Sequence, residues 1–254
     1  NTPEHEWVLC TGDWHTGQRT RIEETGAVYH QDVATTRAQV AKIWKALARL
    51  HAIETSGRTI KRLHILGLGD FVDGDDMRPS QHRKVEDVFT VQTVQAFDLL
   101  AWLIRQALTL VPSVEVDIVG GNHDRTSSRR GDAGLGELDY VDTVAWLLGA
   151  FLERVLVADI ESGRLTVRSW QTFFGYKEIA GQRVVFEHGS SFKWSTGGYG
   201  GVPWYGIAQL GNKYADMIGT PDILVFGHGH VPAILPMGGY GWTVVNGALP
   251  ATST

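Results

Sequence analysis

The chain has a single cysteine, Cys10, among 254 residues, so no disulfide can form within it. Cys10 closes the apolar run Trp7-Val8-Leu9-Cys10 and reads as a buried structural thiol. No apolar stretch approaches the ~20 residues that a membrane span needs. No secretory signal pattern is visible either, so a cytoplasmic protein with no membrane partner is expected. The chain opens on Asn1 rather than Met, which fits a processed or engineered start. Excess positive charge is also missing: 23 Lys and Arg stand against 28 Asp and Glu, for a net charge of −5. A broad duplex-binding face, normally strongly basic, is not favoured, which leaves room only for a local basic patch near a site. Repeats, low-complexity runs and a convincing linker are absent. With 43% hydrophobic residues, the chain can bury a substantial core, and one domain over residues 1–254 is expected.

Strands and helices alternate in the first half. Val8 to Thr11 reads as a strand, as do Leu63 to Leu68 and Val114 to Val119. Val40, Ile43, Trp44, Leu47 and Leu50 recur at helical spacing within residues 33 to 52. Val94, Phe97, Leu100, Ile104 and Leu108 do the same within 85 to 110, and 137 to 154 reads as another helix. From 155 onward short strands dominate: 166 to 170, 173 to 179 and 183 to 187. A Gly-rich aromatic loop at 189 to 206 and a short helix at about 207 to 218 lead to strands at 223 to 226, 232 to 237 and 242 to 246. The pattern implies an α/β protein with two packed sheets flanked by helices.

The chemistry lies just past the strand ends. The first strand runs into Gly12-Asp13-Trp14-His15, the second into Gly69-Asp70-Phe71-Val72-Asp73, and the third into Gly121-Asn122-His123-Asp124. Later strands run into His188-Gly189 and Gly227-His228-Gly229-His230. Ligand sites of α/β sheets form at strand carboxyl ends, and glycine lets the chain turn tightly beside a bound group. Any one of these motifs alone would read as a polar turn or cap. Together, in one chain and each at a strand end, they make a set of carboxylate, amide and imidazole ligands without thiolate. A carboxylate can bridge two cations, and two cations ~3.5–4 Å apart can hold a phosphoryl oxygen and an attacking hydroxide.

The set Gly-Asp13-x-His15, Gly-Asp70-x-x-Asp73, Gly-Asn122-His123-Asp124, His188 and Gly-His228-x-His230 resembles the calcineurin-like metallophosphoesterase superfamily over residues 12 to 230. That resemblance implies a four-layer α/β/β/α sandwich with a dinuclear metal site at the strand C-terminal edge. It implies one metal on Asp13, His15, Asp70 and His230, and a second on Asp70, Asn122, His188 and His228. Manganese comes first among the expected divalent ions, ahead of iron, zinc, nickel, cobalt and magnesium. His123 would face the substrate as general acid or phosphate contact, Asp124 would orient the His123 ring, and Asp73 would support a ligand from behind. Many relatives carry Gly-His-Thr-His where this chain has Gly227-His228-Gly229-His230. The polar loop Thr16 to Asp32 has no counterpart in the family pattern, and no cap domain is expected after the catalytic fold.

The expected reaction is metal-dependent hydrolysis of phosphodiesters, of nucleotide or nucleic acid type, by a metal-bridging hydroxide. The alternative is a phosphomonoesterase, including a protein phosphatase, at the same site. A non-catalytic scaffold is a third reading, opposed by the survival of all seven ligands. Arg125, Arg129 and Arg130 follow the Asn-His-Asp motif and could reach a non-scissile phosphate. Phe192, Trp194, Tyr199, Trp204 and Tyr205 in the aromatic loop could stack a base of a nucleotide or short single strand. His5, His30, His51, His64 and His82 read as surface or packing residues.

Overall fold

A computed structural model describes residues 4–75, 80–126, 140–191, 194, 202–237 and 241–250. Four strands, β1 (Glu4–Thr11), β2 (Thr59–Gly67), β3 (Ser113–Ile118) and β4 (Leu165–Ser169), form a parallel sheet in that order. Helices α1 (Val33–Glu54), α2 (Phe89–Leu110), α3 (Val144–Val155) and α4 (Val157–Glu161) make the crossovers between them. The second sheet contains β5 (Phe174–Ile179), β6 (Gln182–Glu187), β7 (Ile223–Phe226), β8 (Ala233–Met237) and β9 (Gly241–Val245), ordered β5-β6-β7-β9-β8. Its three inner strands run parallel and its two outer strands antiparallel. Helix α5 (Trp204–Ile218) connects β6 to β7.

Three apolar clusters hold these elements. The largest joins Leu63, Ile65, Val114 and Val116 of the parallel sheet to Val40, Leu100, Ile104 and Leu148 of the helices. Another joins Val185, Leu224 and Phe226 to Ile207, Leu210 and Tyr214 of α5. The third lies where the sheets meet: Leu66, Leu68 and Val119 from one, Ile179, Val184, Phe186 and Val225 from the other. Cys10 packs against this third cluster, and burial pushes its thiol up to about 12, as suits an inert packing residue. A polar stitch also crosses between the sheets. Lys177 Nζ on β5 donates to Glu115 (2.7 Å) and Asp117 (2.6 Å) on β3, and Asp117 also accepts from Trp170 Nε1. His64, buried on β2, lies 3.0 Å from Glu6 in the same network.

Element types match the periodicity, but boundaries shift for local reasons. β1 starts at Glu4 rather than Val8, because an edge strand keeps polar residues that mask its start. Asp32 accepts from Thr35 N at 2.6 Å and sets the start of α1. Helix α2 begins at Phe89, not 85, since Val85 pairs with Gln18 of the first polar loop. Helix α3 begins at Val144, where Thr143 accepts from Trp146 N; positions 137–139 lie outside the described residues. Helix α4 has no counterpart in the sequence pattern, and α5 starts at Trp204 rather than 207. Leu50 and Val94 sit on the helical stripes but stay 53% and 56% exposed. Among the described residues, no helix is long and apolar enough to cross a membrane.

Glu187, the last residue of β6, is buried against α5, where its carboxylate accepts from Tyr214 Oη (2.6 Å) and Ser191 Oγ (3.0 Å). Burial pushes its carboxyl from an ordinary 4.5 up to about 7, outweighing these hydrogen bonds. The unfolded chain releases this proton near 4.5 and the folded chain near 7, so stability falls as pH rises through that window. At ~1.4 kcal/mol per pH unit, the fall is about 3 kcal/mol. Glu187→Gln keeps an acceptor for Tyr214 and should flatten urea-unfolding stability between pH 5 and 7.5. An undiminished slope in the variant would assign the decline to another group.

Candidate metal centre

Five loops deliver the polar residues, each leaving the end of a strand. Asp13 and His15 follow β1, Asp70 follows β2, Asn122 to Asp124 follow β3, His188 follows β6, and His228 and His230 follow β7. The backbone must reverse sharply there. Asp13, His15, Asp70, His228 and His230 all have φ between 45° and 61°. They are five of the eight non-glycine residues with positive φ among those described. Asp and His tolerate this region better than most side chains, yet it still costs of order 1–3 kcal/mol per residue. Strain so concentrated is retained where function needs it.

The seven expected ligands come together. His15 Nε2 lies 3.1 Å from His230 Nε2, and His230 Nε2 lies 3.4 Å from Asp13 Oδ1. His188 Nε2 lies 3.1 Å from Asp70 Oδ2, 2.9 Å from Asn122 Oδ1 and 3.1 Å from His228 Nδ1. Asp70 stands between the groups, with Oδ2 also 3.9 Å from His15 Nε2. Asp13–His15–His230 and Asp70–His188–His228 each offer three ligand atoms within 4.8 Å of one another. A third such group, His15–Asp73–His123, includes the hydrogen bond that orients His15.

The groups behind them decide which ring nitrogen faces inward. His15 Nδ1 donates to Asp73 Oδ1 at 3.0 Å, and His188 Nδ1 donates to the Leu68 carbonyl at 2.7 Å. In both neutral rings the lone pair then sits on Nε2, aimed at carboxylate, amide oxygen or another imidazole. Such a convergence of lone pairs and carboxylates needs positive charge, from protons or from cations. Burial pulls the His188 imidazolium down, but Asp70 and Asp13 outweigh it and push it up to about 10. Burial and the charge on His188 press His228 down to about 4, leaving it neutral. The pull is mutual: despite burial, the three neighbouring histidines hold Asp70 well below the usual carboxylate range. A donor set of buried carboxylate, imidazole and amide oxygen, with its rings already oriented, fits divalent cations.

Asp124 departs from expectation. Asp124 does not orient the His123 ring. Its carboxylate instead accepts from the backbone N–H of Asp70 (2.8 Å), Phe71 (3.0 Å) and Gly121 (3.0 Å). His123 Nδ1 donates to the Asp73 carbonyl at 2.6 Å, and its backbone N–H to Asp70 Oδ1 at 2.8 Å. The contact is backbone-mediated, so residue types could not reveal it. Gln81 and Gln92 escape sequence reasoning for a similar reason. Gln81 Nε2 donates to the Asp73 carbonyl (2.6 Å) and to its Oδ2 (3.1 Å), while Gln92 accepts from Gly74 N (2.9 Å). No motif signals a buried glutamine in that role.

Arg125 is exposed and lines a cleft with Tyr140, Thr143, Phe173, Ser190 and His188. Arg129, Arg130, Phe192 and Tyr199 lie outside the described residues. Trp204 begins α5 and packs against the α5 cluster, and Tyr205 is 77% exposed. Trp194 sits directly on the centre. Its Nε1 donates to the Gly189 carbonyl (2.7 Å), and its ring centroid is 5.9 Å from that of His228. A Cβ on Gly229 would overlap the indole, which accounts for glycine between His228 and His230. Gly229→Ala should therefore destabilise the protein by ~1–3 kcal/mol through overpacking. In a Trp194→Ala background the same change should cost less than half as much, by urea unfolding. Equal costs in both backgrounds would refute the pairing.

A search of curated proteins finds no match. Among solved structures, a protein of unknown function, AQ665 from Aquifex aeolicus, aligns with 13% identity over 88% of this chain and 78% of its own. Its TM-score is 0.36, too low for inference. A sequence-family profile for calcineurin-like phosphoesterase matches residues 7–232, a span that contains all five metal-donor loops. The chain therefore belongs to the calcineurin-like phosphoesterase family.

Proposed function

We propose that this protein is a dinuclear metal-dependent phosphoesterase that prefers phosphodiesters. The observation that carries the reading is Asp70, whose Oδ2 lies 3.1 Å from His188 Nε2 in its own triad and 3.9 Å from His15 Nε2 of the other. Asp13, His15, Asp70 and His230 would hold one cation, and Asp70, Asn122, His188 and His228 the other. Manganese, the first choice, suits this mixed oxygen and nitrogen set, as do several other divalent ions. The clusters on either side of each sheet, with a third between the sheets, support a four-layer α/β/β/α arrangement with the centre at one edge. When bound, two divalent cations supply Lewis-acid polarisation of the phosphoryl oxygens and an activated water nucleophile at neutral pH.

The chain's own residues do the rest. Asp73 and the Leu68 carbonyl fix the two rings that face the cations. Asp124 holds Asp70 by its backbone. His123, with Nδ1 committed to the Asp73 carbonyl, can carry a second proton on Nε2 for the leaving oxygen. Trp194 packs beside the His228 ring. The diester preference is supported by Trp194, whose ring beside His228 offers an aromatic face for the non-reacting part of a nucleotide. The second reading, a phosphomonoesterase, would draw on Arg125 in the cleft together with Arg129 and Arg130, which lie outside the described residues.

Hydrolysis of bis-p-nitrophenyl phosphate against p-nitrophenyl phosphate, across several divalent metals, tests the preference. The diester should be turned over faster. Asp70→Asn should abolish both activities and lower the metal content, because a neutral amide bridges two cations poorly; two retained metals with normal turnover would remove the bridge. For His123→Ala, both metals should remain while kcat falls ~10²–10⁴-fold for a poor leaving group. The loss should shrink with p-nitrophenolate, which needs little protonation. Equal losses for good and poor leaving groups would leave His123 a phosphate contact only.

A further inference from the structure

The polar loop after His15 forms a small docked structure. Gln18 pairs with Val85, Arg19 N donates to the Lys84 carbonyl (2.7 Å), and Glu86 N donates to the Gly17 carbonyl (2.8 Å). Thr20 and Gln31 exchange backbone hydrogen bonds of 2.9 and 3.0 Å and close the loop on itself. Beside this ribbon lies an open cavity of about 480 Å³, lined by Arg19, Thr20, Glu24, Thr25, Tyr29 and Lys84, with Val28 at its rim.

Its charges are not balanced within the protein. Arg19 Nη2 donates to the Arg83 carbonyl at 3.1 Å, which anchors the guanidinium and leaves its other N–H groups for a ligand. Lys84 is exposed, and no described acid forms an ion pair with Arg19, Arg83 or Lys84. Glu86 Oε2 accepts from Val33 N (2.8 Å) at the start of α1, and Glu24, whose Oε2 accepts from Arg21 N (2.7 Å), is the acid on the cavity wall, so Arg19 and Lys84 together leave the described lining with an excess of positive charge. In a chain of net charge −5, a fixed guanidinium and an ammonium on one concave wall mark a place for an anion.

The cavity is also tied to the metal centre. Arg19 follows His15 by four residues, so their Cα atoms lie within ~14 Å at full extension. Three residues before Lys84, Gln81 donates to Asp73, the residue that orients His15. One anionic polymer could therefore reach both. Tyr29 adds an aromatic surface, which a base can stack on and an acidic peptide cannot exploit as well.

We infer that this cavity is a secondary binding site for single-stranded nucleic acid, with flanking phosphates on Arg19 and Lys84 while another phosphate of the strand occupies the metal centre. The inference rests on the diesterase reading and gives its substrate class. It also gives the Thr16 to Asp32 loop a role, that of holding a strand beyond the reacting phosphodiester.

The test compares the metal-loaded wild type with Arg19→Gln/Lys84→Gln, using a fluorescein-labelled, phosphorothioate-linked dT10 that resists cleavage. Binding by anisotropy should weaken at least tenfold at 50 mM salt. The slope of log K against log salt should lose about 1.4, the loss expected for two single-strand phosphate contacts. Turnover of bis-p-nitrophenyl phosphate, too small to span both sites, should be unchanged. Unaltered dT10 affinity and salt slope would overturn the secondary site while leaving the diesterase reading intact. Equal competition by poly-glutamate of the same charge would overturn the nucleic acid assignment. If neither protein hydrolysed the aryl diester, the diesterase reading would fall; the selective loss of dT10 binding would still support the site. Lys84→Glu alone, a change at an exposed side chain, should weaken binding in the same direction and guards against misfolding of the double variant.

Discussion

Three backbone N–H groups converge on one buried carboxylate, that of Asp124, and the metal centre is assembled around it. Two of them, from Asp70 and Phe71, belong to the loop after β2, and the third, from Gly121, to the loop after β3. The bonds clamp the two loops so closely that a Cβ on Gly69 or Gly121 would overlap backbone atoms of the other loop. Burial and the neighbouring Asp70 charge both push the Asp124 carboxyl up, and the three donors oppose them. Positive charge near Asp70 then favours Asp124 in the ionised form that the donors need. The fold of these loops and the charge of the centre are therefore coupled.

The same coupling explains why strained backbone survives here. Five ligand residues in the left-handed region would by themselves favour relaxation of the loops. They are held by contacts that cross from one loop to another. Asp13 accepts from His228 N with both oxygens, at 3.1 and 3.0 Å, and so binds the loop after β7 to the loop after β1. Leu249 N donates to the Asp13 carbonyl at 3.0 Å, and Gln39 Nε2 on α1 donates to the Leu249 carbonyl at 2.8 Å. Each sheet thus fixes the other's donor loops, and Leu66, Leu68, Phe186 and Val225 pack together behind them. Displacing one sheet relative to the other would separate Asp70 from His188.

Much of this is legible in the residues because the ligands are specified one by one, each as a side chain at a strand end. The periodicity of α1 and α2 and the apolar runs of β2, β3 and β7 place those strand ends, and the motifs then name the donors. The illegible part depends on backbone atoms. The acceptors for His123 and His188 are the carbonyls of Asp73 and Leu68, and any residue type presents a carbonyl. Asp124 stands one residue after His123, and adjacency in sequence suggests a side-chain partner where the fold uses it to bind main chain. The glycine between His228 and His230 is a bare departure in the sequence. Its reason lies in Trp194, thirty-five positions upstream, which fills the space of the missing side chain.

An anionic substrate approaches a protein of net charge −5 against a weak overall repulsion, so local fields must guide it. At the centre itself, Asp13 and Asp70 are buried beside histidines, and their charge is offset only by bound protons or cations. Divalent cations held there would outweigh these carboxylates and draw a phosphate in. Cations on the protein's own side chains do not depend on metal: Arg125 in the cleft that His188 lines, and Arg19 and Lys84 in the cavity beside the loop that follows His15. A phosphodiester chain is long enough to meet such cations away from the reacting atom, whereas a small phosphomonoester must find all its positive charge at the centre. Under the proposed reading, cations held away from Asp70 would act on the distal charges of an extended substrate, charges that a compact phosphomonoester does not carry.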